Sequence, residues 1–128
     1  MRQSLRRRES LAGSFRCAGR GLLEAFAAQR SLRIQVSVGL LAVALGLLLG
    51  LSLVEWAIIT LCVALVLVAE VFNTAIEAMV DLACPNHNEL ARIAKDAGAG
   101  ATLIAAIASV IVGMAVFLPK LLEMLKLR

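Results

Sequence analysis

The chain has 128 residues, 61% of them hydrophobic, with a formal net charge of +4 and a mean hydropathy of +0.90. Soluble domains run near half apolar, and a chain this short buries the smallest share of its surface. The composition therefore excludes an ordinary water-soluble domain and points to a single all-α integral membrane domain over residues 1–128.

The N-terminal segment is basic. Eight of the thirteen Lys and Arg are Arg2, Arg6, Arg7, Arg8, Arg16, Arg20, Arg30 and Arg33. A basic end beside apolar spans suits a cytoplasmic face and anionic lipid headgroups rather than nucleic acid. Arg16 and Arg20 interrupt any apolar core of an export signal. Within 10–30, Leu11, Phe15, Ala18, Leu22, Ala25 and Phe26 recur at helical spacing and share a stripe about 100° wide. Arg16, Arg20 and Glu24 lie opposite, which predicts an amphipathic helix in the membrane interface.

Three apolar runs follow, 34–54, 56–80 and 97–119, each near the ~20 residues that cross ~30 Å of hydrocarbon. A short turn around Leu51 to Glu55 makes the first two an antiparallel hairpin. The stretch from Asp81 to Asp96, with Pro85, Asn86 and Asn88, reads as the second connection. With the N-terminus inside, Arg92 and Lys95 are also inside, and Lys120, Lys126 and Arg128 are outside. That arrangement obeys the positive-inside rule for a bacterial inner membrane. Ala101, Ala105, Ser109 and Gly113 form a small-residue ridge suited to close helix contact. Three thin helices enclose a site poorly, so a homo-oligomer is expected.

The second run carries the chemistry. Glu70, Asn73, Glu77 and Asp81 fall within about 80° on a helix. An acid near the bilayer centre costs about 2.5–3.5 kcal/mol on insertion, so such residues are functional by default. A stripe paired with Arg or Lys of a neighbouring helix, or a proton relay through Glu70 and Glu77, are the alternatives. A relay has no use for Lys95 and Asp96, which stand where the third apolar run enters the membrane. A lysine there can meet a phosphate, and an acid a cation or nucleotide group; as structure alone, Asp96 would be a helix N-cap. No G-x-x-x-x-G-K-[ST] run occurs, and Gly98 to Gly100 suits close packing instead. His87 reads as a polar loop residue rather than a metal ligand. Cys17, Cys62 and Cys84 show neither metal spacing nor an even number for disulfides.

The pattern Glu70-x-x-Asn73-Thr74-Ala75-Ile76-Glu77-x-x-x-Asp81, followed by Ala94-Lys95-Asp96, resembles the signature of the prokaryotic diacylglycerol kinase family, which includes undecaprenol kinases. The resemblance runs from about Phe15 to Leu118 and takes in Gly21-Leu22, the Arg33 region and the small-residue third helix. It implies a homotrimer, each subunit with a surface helix and three transmembrane helices, and active sites between subunits. It implies Mg²⁺ and ATP from the cytoplasm and a lipid alcohol from the bilayer. Glu70 would be the general base, Glu77 the holder of metal and ATP, and Asn73 a positioning group. Lys95 would meet ATP phosphate and Asp96 a nucleotide or metal feature. Asn86, His87 and Asn88 would lie near the nucleotide, with Ala99 and Arg33 beside the lipid substrate.

One departure matters. Many relatives carry a glutamate as a second metal-holding acid where this chain has Gln29, which offers only a neutral carbonyl oxygen. Cys17 and Ser10 also replace residues that assist nucleotide binding in some relatives. Diacylglycerol, giving phosphatidic acid, is the expected substrate. Undecaprenol is the alternative, since the Pro85-to-Lys95 loop and Phe117-Leu118-Pro119-Lys120 look more like the non-proteobacterial branch. A non-enzymatic relay or scaffold is the reading outside this class.

Overall fold

A computed structural model describes residues 11–86 and 88–126. His87, Ser10 and the arginines before it lie outside the described residues. Four helices follow in order: α1 (Leu11–Ala28), α2 (Arg30–Leu49), α3 (Leu53–Ala83) and α4 (Glu89–Lys126). The last three are each long and apolar enough to cross a membrane.

A single extended residue separates α1 from α2. Gln29 takes φ −99°, ψ 117°, its N–H still bonded to Ala25 O at 2.8 Å. The helix of the first apolar run thus begins at Arg30, ahead of Ile34. On α1, Leu11 and Phe15 are about four-fifths exposed and only Ala25 is buried. The chain itself leaves the apolar stripe uncovered, as an interfacial helix requires.

The hairpin turn is tighter than the sequence suggests. Gly50 ends α2 at φ +64°, where a side chain would be strained, and its N–H bonds Gly46 O. Ser52 then caps α3 through a reciprocal box: Ser52 N–H donates to Glu55 Oε2 at 2.7 Å, and Glu55 N–H to Ser52 Oγ at 3.4 Å. Val54 and Glu55 are therefore helical. At the same end, Lys120 pairs with Glu55 at 3.1 Å. That pair ties α4 one residue beyond Pro119, and the helix runs on to Lys126 instead of stopping at the proline. Loss of one ladder hydrogen bond is the usual consequence of such a proline.

The second connection shrinks to 84–88. Asn88 Oδ1 accepts from Leu90 N at 2.9 Å and Ala91 N at 3.3 Å, so it caps α4. Arg92 braces that first turn, bonding Glu89 three residues before it and Asp96 four residues after at 2.7 Å. Asp81 consequently sits in α3, and Asp96 in the second turn of α4 rather than at its cap.

The helices α3 and α4 form the most extensive contact, with α2 against them. Few apolar side chains are buried: Leu32, Leu51, Ile59 and Ala105 join Ala25. Large ones such as Leu48, Leu53 and Ile104 point outward. In lipid this arrangement is not penalised, because hydrocarbon tails are as apolar as the side chains. The ridge on α4 is partly spent within the chain. Ala105 is buried, and Ser109 Oγ donates to Cys62 O of α3 at 3.2 Å. The three cysteines are free thiols.

Candidate active site

The α3 stripe meets polar residues from both neighbours. Glu70 is 4% exposed. Its Oε1 accepts from Ser31 Oγ and its Oε2 from Gln35 Nε2 at 3.3 Å, both on α2. Thr74 Oγ1 bonds the Glu70 carbonyl at 2.9 Å. Two turns on, Glu77 Oε2 accepts from Gln29 Nε2 at 3.2 Å and Oε1 from Asn73 Nδ2 at 3.1 Å. A carboxylate only accepts, so Gln29 presents its nitrogen to Glu77, and its carbonyl oxygen is turned away.

Asn73 is pinned from the other side by α4. It is buried, and its Oδ1 has no partner among the described residues. A Cβ on Gly98 would lie 2.6 Å from that oxygen. The glycine is thus required for the close approach of the two helices here, since Asn73 could retreat only by releasing Glu77. Gly98→Ala is expected to cost about 1–3 kcal/mol through overpacking and to lower activity with it. A variant with wild-type thermal midpoint and turnover in detergent would refute this close-packing role.

Depth separates the two acids. Measured from Trp56, at the Glu55–Lys120 end, ~30 Å of hydrocarbon at 1.5 Å per residue ends near Ile76. Glu70 then lies inside the hydrocarbon, Glu77 at its edge and Asp81 beyond it. Lys95 joins this outer end, donating to Asp81 Oδ1 at 2.7 Å. A cavity of about 570 Å³ opens beside it, lined by Asp81, Asn86, Asn88, Arg92, Lys95 and Asp96 among others. Among the described residues its walls come from the end of α3, the connection and the start of α4. Among the described residues it has two cationic side chains, and each is already matched by a carboxylate: Lys95 by Asp81, Arg92 by Asp96 and Glu89.

Of the residues expected from sequence, Asn73, Glu77 and Gln29 are joined by hydrogen bonds, Glu70 lies two turns away on the same face of α3 with partners of its own, and Asn86, Asn88, Lys95 and Asp96 share the outer cavity. His87 lies outside the described residues. Arg33 and Ala99 are not drawn in. Both are exposed, and Arg33 stands about 200° around α2 from Ser31. Sequence reading missed Ser31, Gln35 and Thr102. The signal for the first two was two polar side chains four apart in an apolar helix, which marks a polar face but not what it meets. Thr102 is buried with its Oγ1 unpaired; a threonine in an apolar run gives no comparable signal.

Comparison with known proteins bears on the family of the chain. The sequence profile described as prokaryotic diacylglycerol kinase matches residues 16–117. A diacylglycerol kinase of Synechocystis sp. is 44% identical over 117 residues, covering 91% of this chain and 67% of the relative. An undecaprenol kinase of Bacillus subtilis is 42% identical, covering 84% of this chain and 88% of the relative. A diacylglycerol kinase of Escherichia coli is 36% identical, covering 72% and 75%.

Proposed function

The chain belongs to the prokaryotic diacylglycerol kinase family, and from that premise we propose that it transfers the γ-phosphoryl group of ATP to the hydroxyl of diacylglycerol, giving phosphatidic acid. Membership makes the protein a multi-pass membrane lipid kinase with ATP as co-substrate. The relay and scaffold readings give way to it.

The observation that carries the assignment of roles is the pair of acids on one face of α3, Glu70 buried and Glu77 half-buried two turns nearer the Lys95 end; the length of the span puts the first within the hydrocarbon and the second at its edge. A lipid alcohol reaches Glu70 without leaving the bilayer. A nucleotide reaches Glu77 and Lys95 without entering it. Glu70 is then the base that orients the hydroxyl and receives its proton as the oxygen attacks phosphorus. Asn73 links the two ends, holding Glu77 through Nδ2. Lys95 exchanges Asp81 for ATP phosphate, while Asn86, His87, Asn88 and Asp96 surround the nucleotide. Arg33 and Ala99 take part only from the lipid side. Phosphoryl transfer asks mainly for such positioning and charge neutralisation.

Magnesium fits the residues present. Mg²⁺ is commonly held by one or two carboxylates together with substrate phosphates and water. Among the described residues there is no group of three His, Cys, Asp or Glu, so Glu77 would hold the ion with ATP phosphate completing the shell. Gln29 could add its carbonyl oxygen after turning its amide. Bound there, Mg²⁺ would neutralise charge on the phosphates.

The active form is a homotrimer in the bacterial inner membrane, with the site facing the cytoplasm. Two observations support this. Among the described residues the outer cavity is walled by the end of α3, the connection and the start of α4, leaving room for a neighbouring subunit. Arg16, Arg20, Arg30, Arg33, Arg92 and Lys95 cluster at the site end, against Lys120 and Lys126 at the other.

A second acceptor, undecaprenol, is supported by the 42% identity to the Bacillus subtilis enzyme. Phosphate transfer from labelled ATP to diacylglycerol and to undecaprenol, side by side in mixed micelles with Mg²⁺, decides between them. Preferential labelling of diacylglycerol is the expected result. Preferential labelling of undecaprenol would replace the proposed substrate, and labelling of neither by folded protein would defeat the assignment to both lipids.

A further inference from the structure

Both carboxylate oxygens of Glu70 are held from α2, by Ser31 Oγ and by Gln35 Nε2. The two donors are four residues apart and stack on one face of that helix. We propose that Ser31 and Gln35 are positioning residues that fix the plane of the Glu70 carboxylate for proton abstraction. The proposal rests on the reading of Glu70 as the base.

The terminal torsion of a glutamate is broad, with no sharp preference of its own. One hydrogen bond would leave the carboxylate free to swing about that contact. Two bonds, one per oxygen and both from one rigid helix, fix its rotation. A carboxylate offers about four lone-pair sites. The two α2 donors use one on each oxygen, and the remainder stay available for a lipid hydroxyl.

The state of Gln35 is an independent sign. Its Oε1 is buried without a donor among the described residues, an unfavourable condition for a carbonyl. Turning the amide over would set that oxygen against the Glu70 carboxylate and lose the bond. The amide is thus held with its nitrogen on Glu70 at the expense of its own oxygen. Gln35 also stands at the polar end of an apolar groove of about 370 Å³ between α2, α3 and α4. A residue needed only for span packing at that place would have been met better by an apolar side chain.

The test is steady-state kinetics of the full-length protein in mixed micelles, with Mg-ATP and whichever lipid the wild type labels. Ser31→Ala and Gln35→Leu are each expected to lower kcat about tenfold, and the double variant about a hundredfold, since a misplacement near 1 Å has that effect. KM for ATP should stay within about twofold. Ser31→Thr keeps the hydroxyl and should restore most of kcat, which a packing role would not predict. Ser31→Cys, nearly isosteric but a weak donor, gives the same reading as Ser31→Ala if the alanine variant does not fold. In a Glu70→Gln background, Ser31→Ala should bring little additional loss. Wild-type kcat in folded Ser31→Ala and Gln35→Leu, with Glu70→Gln inactive, overturns the positioning role alone. An active Glu70→Gln overturns the base assignment and this proposal with it.

Discussion

Glu70→Gln is expected to reduce lipid phosphorylation by at least about a hundredfold, because a positioned general base typically contributes 10²–10⁴-fold. The substitution is nearly isosteric. Ser31 Oγ can still donate to the amide carbonyl, and Gln35 can turn its amide to accept from the new NH2, so the packing between α2 and α3 is kept. A neutral side chain also inserts into hydrocarbon more cheaply than an acid. The thermal midpoint in detergent should therefore hold or rise while turnover collapses. KM for ATP should change little, since Glu77 and Lys95 lie toward the aqueous end, Glu77 about 10 Å along the axis from Glu70. Loss of activity without loss of stability is the combination that separates a base from a structural acid. Turnover within a few-fold of wild type would remove Glu70 from the chemistry.

The stripe on α3 was legible in the sequence because a helix converts spacings of three, four and seven into one face, and because acids in an apolar run are too costly to be incidental. What the stripe faces was not legible. Ser31 and Gln35 sit on another helix, and only the packing of α2 against α3 brings them to Glu70. The same holds for Gly98, whose role depends on Asn73 lying opposite across the α3–α4 contact. Helix ends were misjudged wherever hydropathy alone was followed. Residues 89–96 are polar, yet Asn88 caps them and Arg92 binds them at three- and four-residue spacing into the first turns of α4. The box formed by Ser52 and Glu55 was written in the sequence as Ser-x-x-Glu. It marks the start of α3 more sharply than the change in hydropathy does. The ridge of Ala105 and Ser109 pointed to close helix approach, and the neighbour it meets there is α3 of the same chain.

Glu77→Gln is expected to lower turnover about a hundredfold and to raise the Mg²⁺ concentration needed for half-maximal rate. The reason lies in Gln29. With a neutral amide at that position, Glu77 is the carboxylate in contact with both Gln29 and Asn73, so its loss takes the charge out of that contact and leaves Asp81, a turn further along α3, as the next carboxylate. A Mg²⁺ titration of the variant that superimposes on wild type would show that Glu77 does not hold the metal. Gln29→Glu makes the complementary case. It sets a second carboxylate near Glu77, across a contact of 3.2 Å in the native chain. Two like charges at that range oppose each other unless a cation lies between them. The metal-free variant should therefore melt below wild type, and added Mg²⁺ should raise its midpoint more than it raises that of wild type. In the Gln29→Glu/Glu77→Gln double variant a single carboxylate returns on the other side of the contact. Partial recovery of Mg²⁺-dependent turnover there would mean that the site needs one charge within reach of the phosphates, and that either side of the contact can supply it.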